Sequence, residues 1–274
     1  MEELLYITPK QPFFVTASRS YLKYVLNKFG IVHFYQCVTG EEPVCVIPDG
    51  SADMLFCCDP AAPCAELCGT VLSMNYTVMK PCTLYFGVRF LPGFNPVIGQ
   101  VGIMQELVNN KIDLSELIHD ERMMEGIFTS RDFKEQINCF MRSYLSIYRR
   151  VCPQEYGNLL VRHSAITLFR MYGNVSVEEM ASDTGYSVRY INQCFKDEMG
   201  LSPKQLARII RFQTAVSALN DPRERSLTEI AADLGYFDQA HFVHDFKSYT
   251  GLTPKKYQSF LKEEEFRARL NVIK

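Results

Sequence analysis

Hydrophobic and polar positions follow a strand-like pattern between about residues 31 and 90. The apolar runs there are short, rich in β-branched and aromatic side chains, and separated by Gly and Pro. Such spacing is typical of antiparallel strands joined by turns. The runs at 31–38, 54–57 and 82–90 therefore predict a small antiparallel β-barrel or sandwich.

A helical period replaces this pattern after about residue 100. One stripe of apolar residues follows the spacing of an amphipathic helix. Its members are Phe133, Ile137, Phe140, Met141, Tyr144, Leu145 and Tyr148. The stripe predicts a helix that covers the barrel or pairs with its copy in a dimer, and the two roles are compatible. Strands followed by helices indicate an α+β fold for this part of the chain.

An internal repeat dominates the last part of the chain. Residues 176–186, SVEEMASDTGY, return at 226–236 as SLTEIAADLGY. The copies also share 195–196 with 246–247 and 200–203 with 251–254. The offset grows from 50 to 51 residues, so the second copy holds one extra residue in its turn. A repeat of this quality predicts two copies of one supersecondary unit.

Each copy has the signals of two short helices around a tight turn. In the first copy, Ser176 and Glu179 predict a capping box, Gly185 ends the first helix, and Ser187 caps the second. The equivalent residues of the second copy are Ser226, Glu229, Gly235 and Asp238. Helix, glycine turn and helix form the helix-turn-helix pattern, so the C-terminal part is predicted to be all-α.

The second helix of each copy is predicted to have one apolar and one polar face. In the first copy, Val188, Ile191 and Phe195 form the apolar face, and in the second Phe242, Phe246 and Tyr249 do so. The polar faces consist of Arg189, Asn192, Gln193 and Lys196, and of Gln239, Ala240, His241, His244 and Lys247. Arg can grip guanine, and Asn or Gln can grip adenine, in a major groove. One polar face alone would be typical of a solvated helix, but its recurrence after the same turn favours contact with DNA.

A long helix is predicted to join the two copies, from Pro203 to about Leu219. Ser202 caps it, Pro203 takes the first helical position and Gln205 completes a capping box. The segment 220–222, Asn-Asp-Pro, ends it. A rod of this length, roughly 25 Å, could place two recognition helices in successive major grooves, about 34 Å apart.

These motifs together resemble the DNA-binding domain of the AraC/XylS family of bacterial transcription regulators. The resemblance covers about residues 158–258 and includes Arg211-Phe212-x-x-Ala215 in the linker helix. It implies a cytoplasmic DNA-binding regulator, more often an activator, that works with RNA polymerase. It also implies base readout by Arg189, Asn192 and Gln193, and in the second copy by Gln239, Ala240, His241 and His244. Asp245 is expected on or beside that second face.

The N-terminal part resembles the regulatory domain attached to a subset of these regulators. The matching segments are Pro48-Asp49-Gly50, the apolar 54–56, and GVRFLPG at 87–93. The resemblance implies a cupin-like barrel that binds a small effector or forms a homodimer. Arg89 is the only cation in the run 82–90, which makes it a candidate partner for an acidic effector. An Arg paired with Asp49 or Asp53 is an equal alternative.

Length and charge fit two ordinary globular domains. The chain has 274 residues, which favours domains at 1–150 and 151–274, and Pro153 disfavours continued helix at Cys152. The formal net charge of −2 gives no overall basic character that would itself indicate nucleic-acid binding. No apolar run reaches the length of a membrane helix, and the acidic start MEELLYITPK is unlike a secretion signal. Both features lead us to expect a cytoplasmic protein without a membrane partner.

The ten cysteines are then expected to be reduced thiols. Cys57, Cys58, Cys64 and Cys68 are candidates for a soft metal or for oxidant sensing, but their spacing matches no common zinc pattern, and buried thiols are the alternative. His241 and His244 could also bind metal, although a groove-facing role fits their setting better. We therefore expect no metal and no cofactor.

Two classes of function remain. A sequence-specific transcription regulator accounts for the duplicated polar faces. The alternative is a small-molecule-binding or enzymatic barrel whose helical half has become an interaction module. No phosphate loop, metalloprotease or nucleophile-elbow motif supports an enzyme.

Overall fold

A computed structural model describes residues 10–92, 94–97, 102–151, 159–221, 225–261 and 270–273. Its earlier elements are α1 (Pro12–Ala17), β1 (Ser18–Lys28), β2 (Ile31–Thr39), β3 (Val44–Val46), β4 (Asp53–Cys57), β5 (Cys64–Cys68), β6 (Asn75–Thr77), β7 (Leu84–Phe90), α2 (Ile103–Glu106), β8 (Lys111–Asp113), α3 (Glu121–Thr129) and α4 (Phe133–Val151). Its later elements are α5 (Leu159–Arg170), α6 (Val177–Thr184), α7 (Val188–Met199), α8 (Pro203–Leu219), α9 (Leu227–Asp233), α10 (Gln239–Thr250), α11 (Pro254–Phe260) and β9 (Leu270–Ile273). A sheet-rich part thus precedes a helical part, as predicted.

The N-terminal part is built on a seven-stranded sheet in the order β8-β5-β4-β7-β2-β1-β9. The three predicted strand runs are β2, β4 and β7, which lie side by side in its centre. The two-stranded sheet of β3 and β6 packs on one face through Val44 and Val46, so a sandwich forms. Among the described strands the large sheet ends at β8 and β9 instead of closing, so it is an open sheet rather than a barrel.

Helix α4 covers the other face of the sheet. Phe133, Phe140, Tyr144 and Tyr148 of the predicted stripe are buried in one core with Phe34 of β2. The Gln36 side chain donates to the Gln136 side chain of α4 at 2.8 Å, inside this otherwise apolar layer. The predicted covering role is therefore confirmed, and the predicted dimer role of this helix stays a prediction.

The predicted second domain, 151–274, does not account for β9. This strand pairs in parallel with β1, with Tyr21 opposite Leu270 and Tyr24 opposite Ile273. The end of the helical part therefore returns to the edge of the N-terminal sheet, where backbone groups of β1 gain partners. The predicted joint at Cys152-Pro153 lies outside the described residues, and the boundary at 150/151 stays a prediction.

Helix α8 lies at the centre of the helical part, with the bounds that its caps predict. Ser202 and Gln205 form the expected capping box, and ten of its 17 residues are buried. Phe212 stacks with Tyr249 of α10 at a centroid distance of 4.8 Å, while Leu206, Ala207 and Ile210 join the same core as Ile191 and Phe195 of α7. Through these contacts α8 packs against both halves of the repeat.

Gln213 connects α8 to the N-terminal part. Its side chain is 2% exposed, accepts from the Lys10 backbone N–H at 2.9 Å, and donates to the Pro48 carbonyl at 2.6 Å. The turn at Gly50 packs closely against α8. A Cβ added at Gly50 would lie only 3.1 Å from Leu206 Cδ1. The core around α8 also includes Phe13 and Ile47. The sheet-rich part thus completes the hydrophobic core of the helical part.

The N-terminal part also contacts both halves of the repeat. Gly102 donates its N–H to the Asp197 carbonyl of α7 at 3.2 Å, and Met74 donates to the Tyr249 carbonyl of α10 at 2.6 Å. Gly200, at the end of α7, has a φ of +70°, and a Cβ there would lie 2.2 Å from the Met104 carbonyl oxygen. Both the backbone conformation and this close approach therefore require glycine.

No helix of the described segments is both long and apolar enough to cross a membrane.

Replacement of Gln213 by Ala tests the central polar contact. The change leaves the buried Pro48 carbonyl and Lys10 N–H without their partner, so we expect the free energy of unfolding to fall by about 1–3 kcal/mol. Urea unfolding of the full chain measures it. Lys204→Ala, at an exposed position of the same helix, is the matched control, and an equal loss in both variants would contradict the role given to Gln213.

Candidate nucleic-acid interface

Local capping sets the geometry of the first helix-turn-helix unit, α6 and α7. The Ser176 hydroxyl accepts from the Glu179 N–H, and the Glu179 carboxylate accepts from the Ser176 N–H at 2.7 Å, which closes a capping box. Gly185 then turns the chain at φ +73°, and Ser187 caps α7 by accepting from the Tyr190 N–H. The predicted caps and turn are confirmed. They fix where α7 begins, and the start of the helix determines which face each of its side chains occupies.

The second unit, α9 and α10, repeats this construction. Ser226 and Glu229 form a capping box, and Gly235 lies at φ +72°. Asp238 caps α10 by accepting from the His241 N–H at 2.7 Å. The extra residue of this copy, at 237, lengthens the turn without displacing the cap.

The recognition helices are held by the residues predicted to pack. Ile191 and Phe195 of α7, and Phe242 and Phe246 of α10, are fully or almost fully buried. Val188 is an exception, because 37% of it is exposed. The prediction that it packs is wrong for a geometric reason: Val188 is the first residue of α7, beyond the reach of the core that covers the next turns.

The predicted polar face of α7 is exposed to solvent. Arg189, Gln193 and Lys196 are exposed and Asn192 is half-buried. Asn192 donates to the Val188 carbonyl at 2.8 Å, and Gln193 donates to Asp197 Oδ1 at 2.8 Å. Asp197 Oδ1 also accepts from the Gln105 side chain at 3.1 Å, so the N-terminal part orients one side of this face. The side chains of Arg189 and Lys196 make no hydrogen bond to other described residues.

The predicted face of α10 is also exposed and less cationic. Gln239, Ala240, His241, His244 and Lys247 are all exposed. The Gln239 side chain accepts from the Thr228 hydroxyl at 2.8 Å, which connects the two helices of the unit. Lys247 is the only Lys or Arg of this helix.

Asp245 does not lie on this face, contrary to the prediction. It is buried and accepts from the Tyr236 hydroxyl at 2.9 Å and from the Arg208 guanidinium of α8. Burial and the Asp245 carboxylate raise the pKa of Tyr236 well above its ordinary value, which keeps the hydroxyl proton available for this bond. Asp245 therefore fixes α10 on α8 and removes one negative charge from the exposed surface.

Three exposed aromatic residues were missed by the sequence analysis. Tyr186 and Tyr190 stack on each other at 5.2 Å between ring centroids, and 50% and 47% of them are exposed. Phe237 is 93% exposed. Their position in the sequence could have identified two of them, because Tyr186 and Phe237 each come directly before the residue that caps a recognition helix.

Arg89 lies inside the N-terminal part and pairs with both candidate carboxylates. Its guanidinium contacts Asp49 at 2.9 Å and donates through Nε to Asp53 at 2.9 Å. Desolvation opposes its charge, but Asp53 and Asp49 outweigh that effect and hold the pKa of Arg89 above its ordinary value. The alternative of an internally paired Arg is thus what the structure contains, and effector binding by Arg89 stays a prediction.

The four cysteines considered for metal binding or oxidant sensing lie in or next to strands β4 and β5. Cys57 lies directly opposite Cys64 in the strand pair, and Cys58 is buried beside Gln136. Burial raises the pKa of Cys58 to about 11 and that of Cys68 to about 12, which favours the less reactive thiol form. The segments that the structure describes hold no group of three or more His, Cys, Asp or Glu side chains suited to a metal ion.

Comparison with known proteins supports the prediction that the helical part is a helix-turn-helix domain. Residues 153–259 match a family model described as a helix-turn-helix domain. The chain is 32% identical over 83 residues to the XylDLEGF operon transcriptional activator of Pseudomonas putida, which is 30% of this chain and 26% of that protein. It is 25% identical over 152 residues to the HTH-type transcriptional regulator YtdP of Bacillus subtilis, 54% of this chain and 19% of that protein. The matches thus span about a quarter or less of these relatives' own lengths.

A solved structure is also similar to part of this chain. The C-terminal domain of AraT, a response regulator from Geobacillus stearothermophilus, is 26% identical, with a TM-score of 0.36. The match covers 39% of this chain and 88% of that one. The two relatives above are named as regulators of transcription and not as enzymes.

Asp245→Asn tests what holds α10. The amide keeps an acceptor for Tyr236 but loses the charged contact with Arg208, so we expect a loss of about 1–3 kcal/mol in the free energy of unfolding. Asp233→Asn is the control, because Asp233 pairs with Arg225 at the surface and such pairs contribute little. If the two variants unfold at the same urea concentration, Asp245 is not the buried anchor described above.

Proposed function

We propose that this protein, whose residues 153–259 match the helix-turn-helix family model, is a sequence-specific DNA-binding regulator of transcription of the AraC type. One observation carries the proposal: two capped helix-turn-helix units share α8 as a common core, and each exposes one face of its second helix. Hydrogen-bonding side chains on such a helix are suited to base edges in a major groove. With α8 between them, α7 and α10 can enter successive grooves of one DNA face.

The two recognition helices are proposed to contribute unequally. Helix α7 offers Arg189, Asn192 and Gln193 to base edges, and Lys196 to a phosphate. Helix α10 offers Gln239, Ala240, His241 and His244, with Lys247 as its cation. The guanidinium and two amides on α7 are suited to bidentate bonds with bases, whereas α10 has one amide, which supports stronger polar readout by the first unit.

Regulation is proposed to pass from the N-terminal part to α8. Gln11 donates to Asp49 at 2.8 Å and to the Ile47 carbonyl, and Asp49 pairs with Arg89. The neighbouring Pro48 carbonyl accepts from Gln213 of α8. An acidic effector that drew Arg89 away from Asp49 would therefore disturb the turn that contacts the linker helix. A second cation, Lys23, lies near this cluster. Burial and the positive charges of Arg89 and Lys10 lower the pKa of Lys23 to about 8.

The proposed regulator would also have protein partners. An activator would contact RNA polymerase, and one relative is named as a transcriptional activator. A homodimer formed through the N-terminal part would double the DNA contacts. We place the protein in the cytoplasm, where its DNA target lies.

Selection of bound sequences from a random DNA pool tests the proposed function. The full chain is expected to enrich a site with two conserved blocks about one helical turn apart. Failure to enrich any sequence at low salt, with folding confirmed by circular dichroism, would exclude sequence-specific recognition.

Two substitutions in α7 separate base contact from phosphate contact. Arg189→Ala should cost about 1–3 kcal/mol on the selected site and relax the preference at one or two base pairs. Lys196→Ala should weaken binding to all sequences and lower the slope of log affinity against log salt by about one. The measurement is binding to matched and singly mismatched sites at two salt concentrations. Lys134→Ala, an exposed change on α4, should alter neither, and equal losses on matched and mismatched DNA would remove Arg189 from base readout.

A further inference from the structure

Phe237 is the most exposed large apolar side chain that the structure describes, at 93%. It takes part in none of the ring contacts found among the described residues, unlike its neighbour Tyr236, which packs on Phe242 and His241. A solvated phenylalanine ring gains nothing for the stability of the fold, since its apolar surface stays in water. Its exposed position leaves the ring available to a binding partner.

The position of Phe237 relates it to the recognition surface. Asp238 caps α10, so Phe237 is the residue directly before the cap, at the N-terminal end of the helix. In the first unit, Tyr186 is the residue directly before the cap Ser187, although it corresponds to Tyr236 in the repeat. The N-terminal residues of a recognition helix are the ones that approach base edges. Both units thus place an exposed aromatic ring where the helix would enter the groove.

The chemistry of the groove limits what Phe237 can recognise. The ring has no hydrogen-bonding group, and the apolar group that base pairs present in the major groove is the 5-methyl of thymine. Ala240, also exposed, adds a second apolar contact on the same end of α10. This helix has one cation and few groups suited to bidentate bonds, so apolar contact is the means of discrimination that its surface favours.

We propose that Phe237, together with Ala240, binds thymine 5-methyl groups, so that the second unit recognises its half-site mainly by apolar contact. The inference rests on the proposed DNA-binding function and names the base that one unit prefers. The first unit differs, because Tyr186 is stacked on Tyr190 beside the polar side chains of α7.

Replacing thymine by deoxyuridine tests the proposal directly, since this removes the methyl group and keeps the Watson–Crick pair. Each thymine of a site selected by the full chain is replaced in turn, and the dissociation constant is measured for the wild type and for Phe237→Ala. Burial of one methyl group corresponds to about fourfold in affinity. We expect a loss of about fourfold at one or two thymines in the α10 half-site, and at least one of these losses should fall below twofold in Phe237→Ala, where Ala240 remains.

Two control variants make the result specific. Tyr186→Ala should keep the thymine dependence of the α10 half-site, because it alters only the first unit. Tyr76→Ala removes an exposed aromatic residue of β6 and should leave all affinities unchanged. Circular dichroism and urea unfolding of Phe237→Ala should match the wild type, since the ring makes little contact with the fold.

Several outcomes would overturn the inference. One is a selected α10 half-site without a fixed thymine, and another is full deoxyuridine sensitivity in Phe237→Ala. If Phe237→Ala binds DNA like the wild type but loses transcription from a reporter, the ring contacts a protein partner instead. If the wild-type chain selects no DNA, the proposed function itself is overturned, and this outcome is distinct from failure of the inference about Phe237.

Discussion

The packing of α8 is the constraint on which the rest of the molecule depends. This helix is buried along most of its length, and both helix-turn-helix units use it as their common support. Because side chains in such a core fill space closely, a shift of α8 moves the recognition helices with it. Gln213 adds a polar contact from this helix to the N-terminal part, so three parts of the chain meet at one element.

The two units show how one scaffold supports different surface chemistry. Their capping boxes, glycine turns and buried aromatic or aliphatic anchors are nearly the same. Their exposed faces differ, since α7 offers a guanidinium and two amides while α10 offers one amide, an alanine, two histidines and a neighbouring phenylalanine. Asp245, which the sequence places beside the second face, is used instead to attach that helix to Arg208. The residues that fold each unit are thus separate from the residues in which the two units differ.

Local signals predicted the helical part well because capping and glycine turns act over three or four residues. Ser202 and Gln205 alone fix the start of α8, and Ser187 and Asp238 fix the starts of the recognition helices. The polar faces of α7 and α10 followed from these starts by helical geometry. Val188 and Asp245 were misplaced because burial at the edge of a helix depends on neighbours far away in the chain.

Contacts between distant segments could not be predicted in this way. Gln213 is a polar residue in a long helix, and only the approach of Lys10 and Pro48 explains why it is buried. Strand β1 was missed because its apolar and polar residues alternate only weakly, and one of its two edges is paired by β9, which lies at the far end of the sequence. Phe237 was overlooked because an aromatic residue in a turn looks like part of a core until its exposure is known.

The pairing of β1 with β9 has a consequence for biosynthesis. β1 leaves the ribosome early, and β9 follows only after the whole helical part has been made, which at cellular rates of translation is a delay of roughly 10–50 s. During that interval the nascent chain presents the edge of β1 with unpaired backbone groups, a surface prone to join other strands. The partly charged character of β1, with Lys23 and Lys28 along it, suits a strand that must wait in this state for its neighbour.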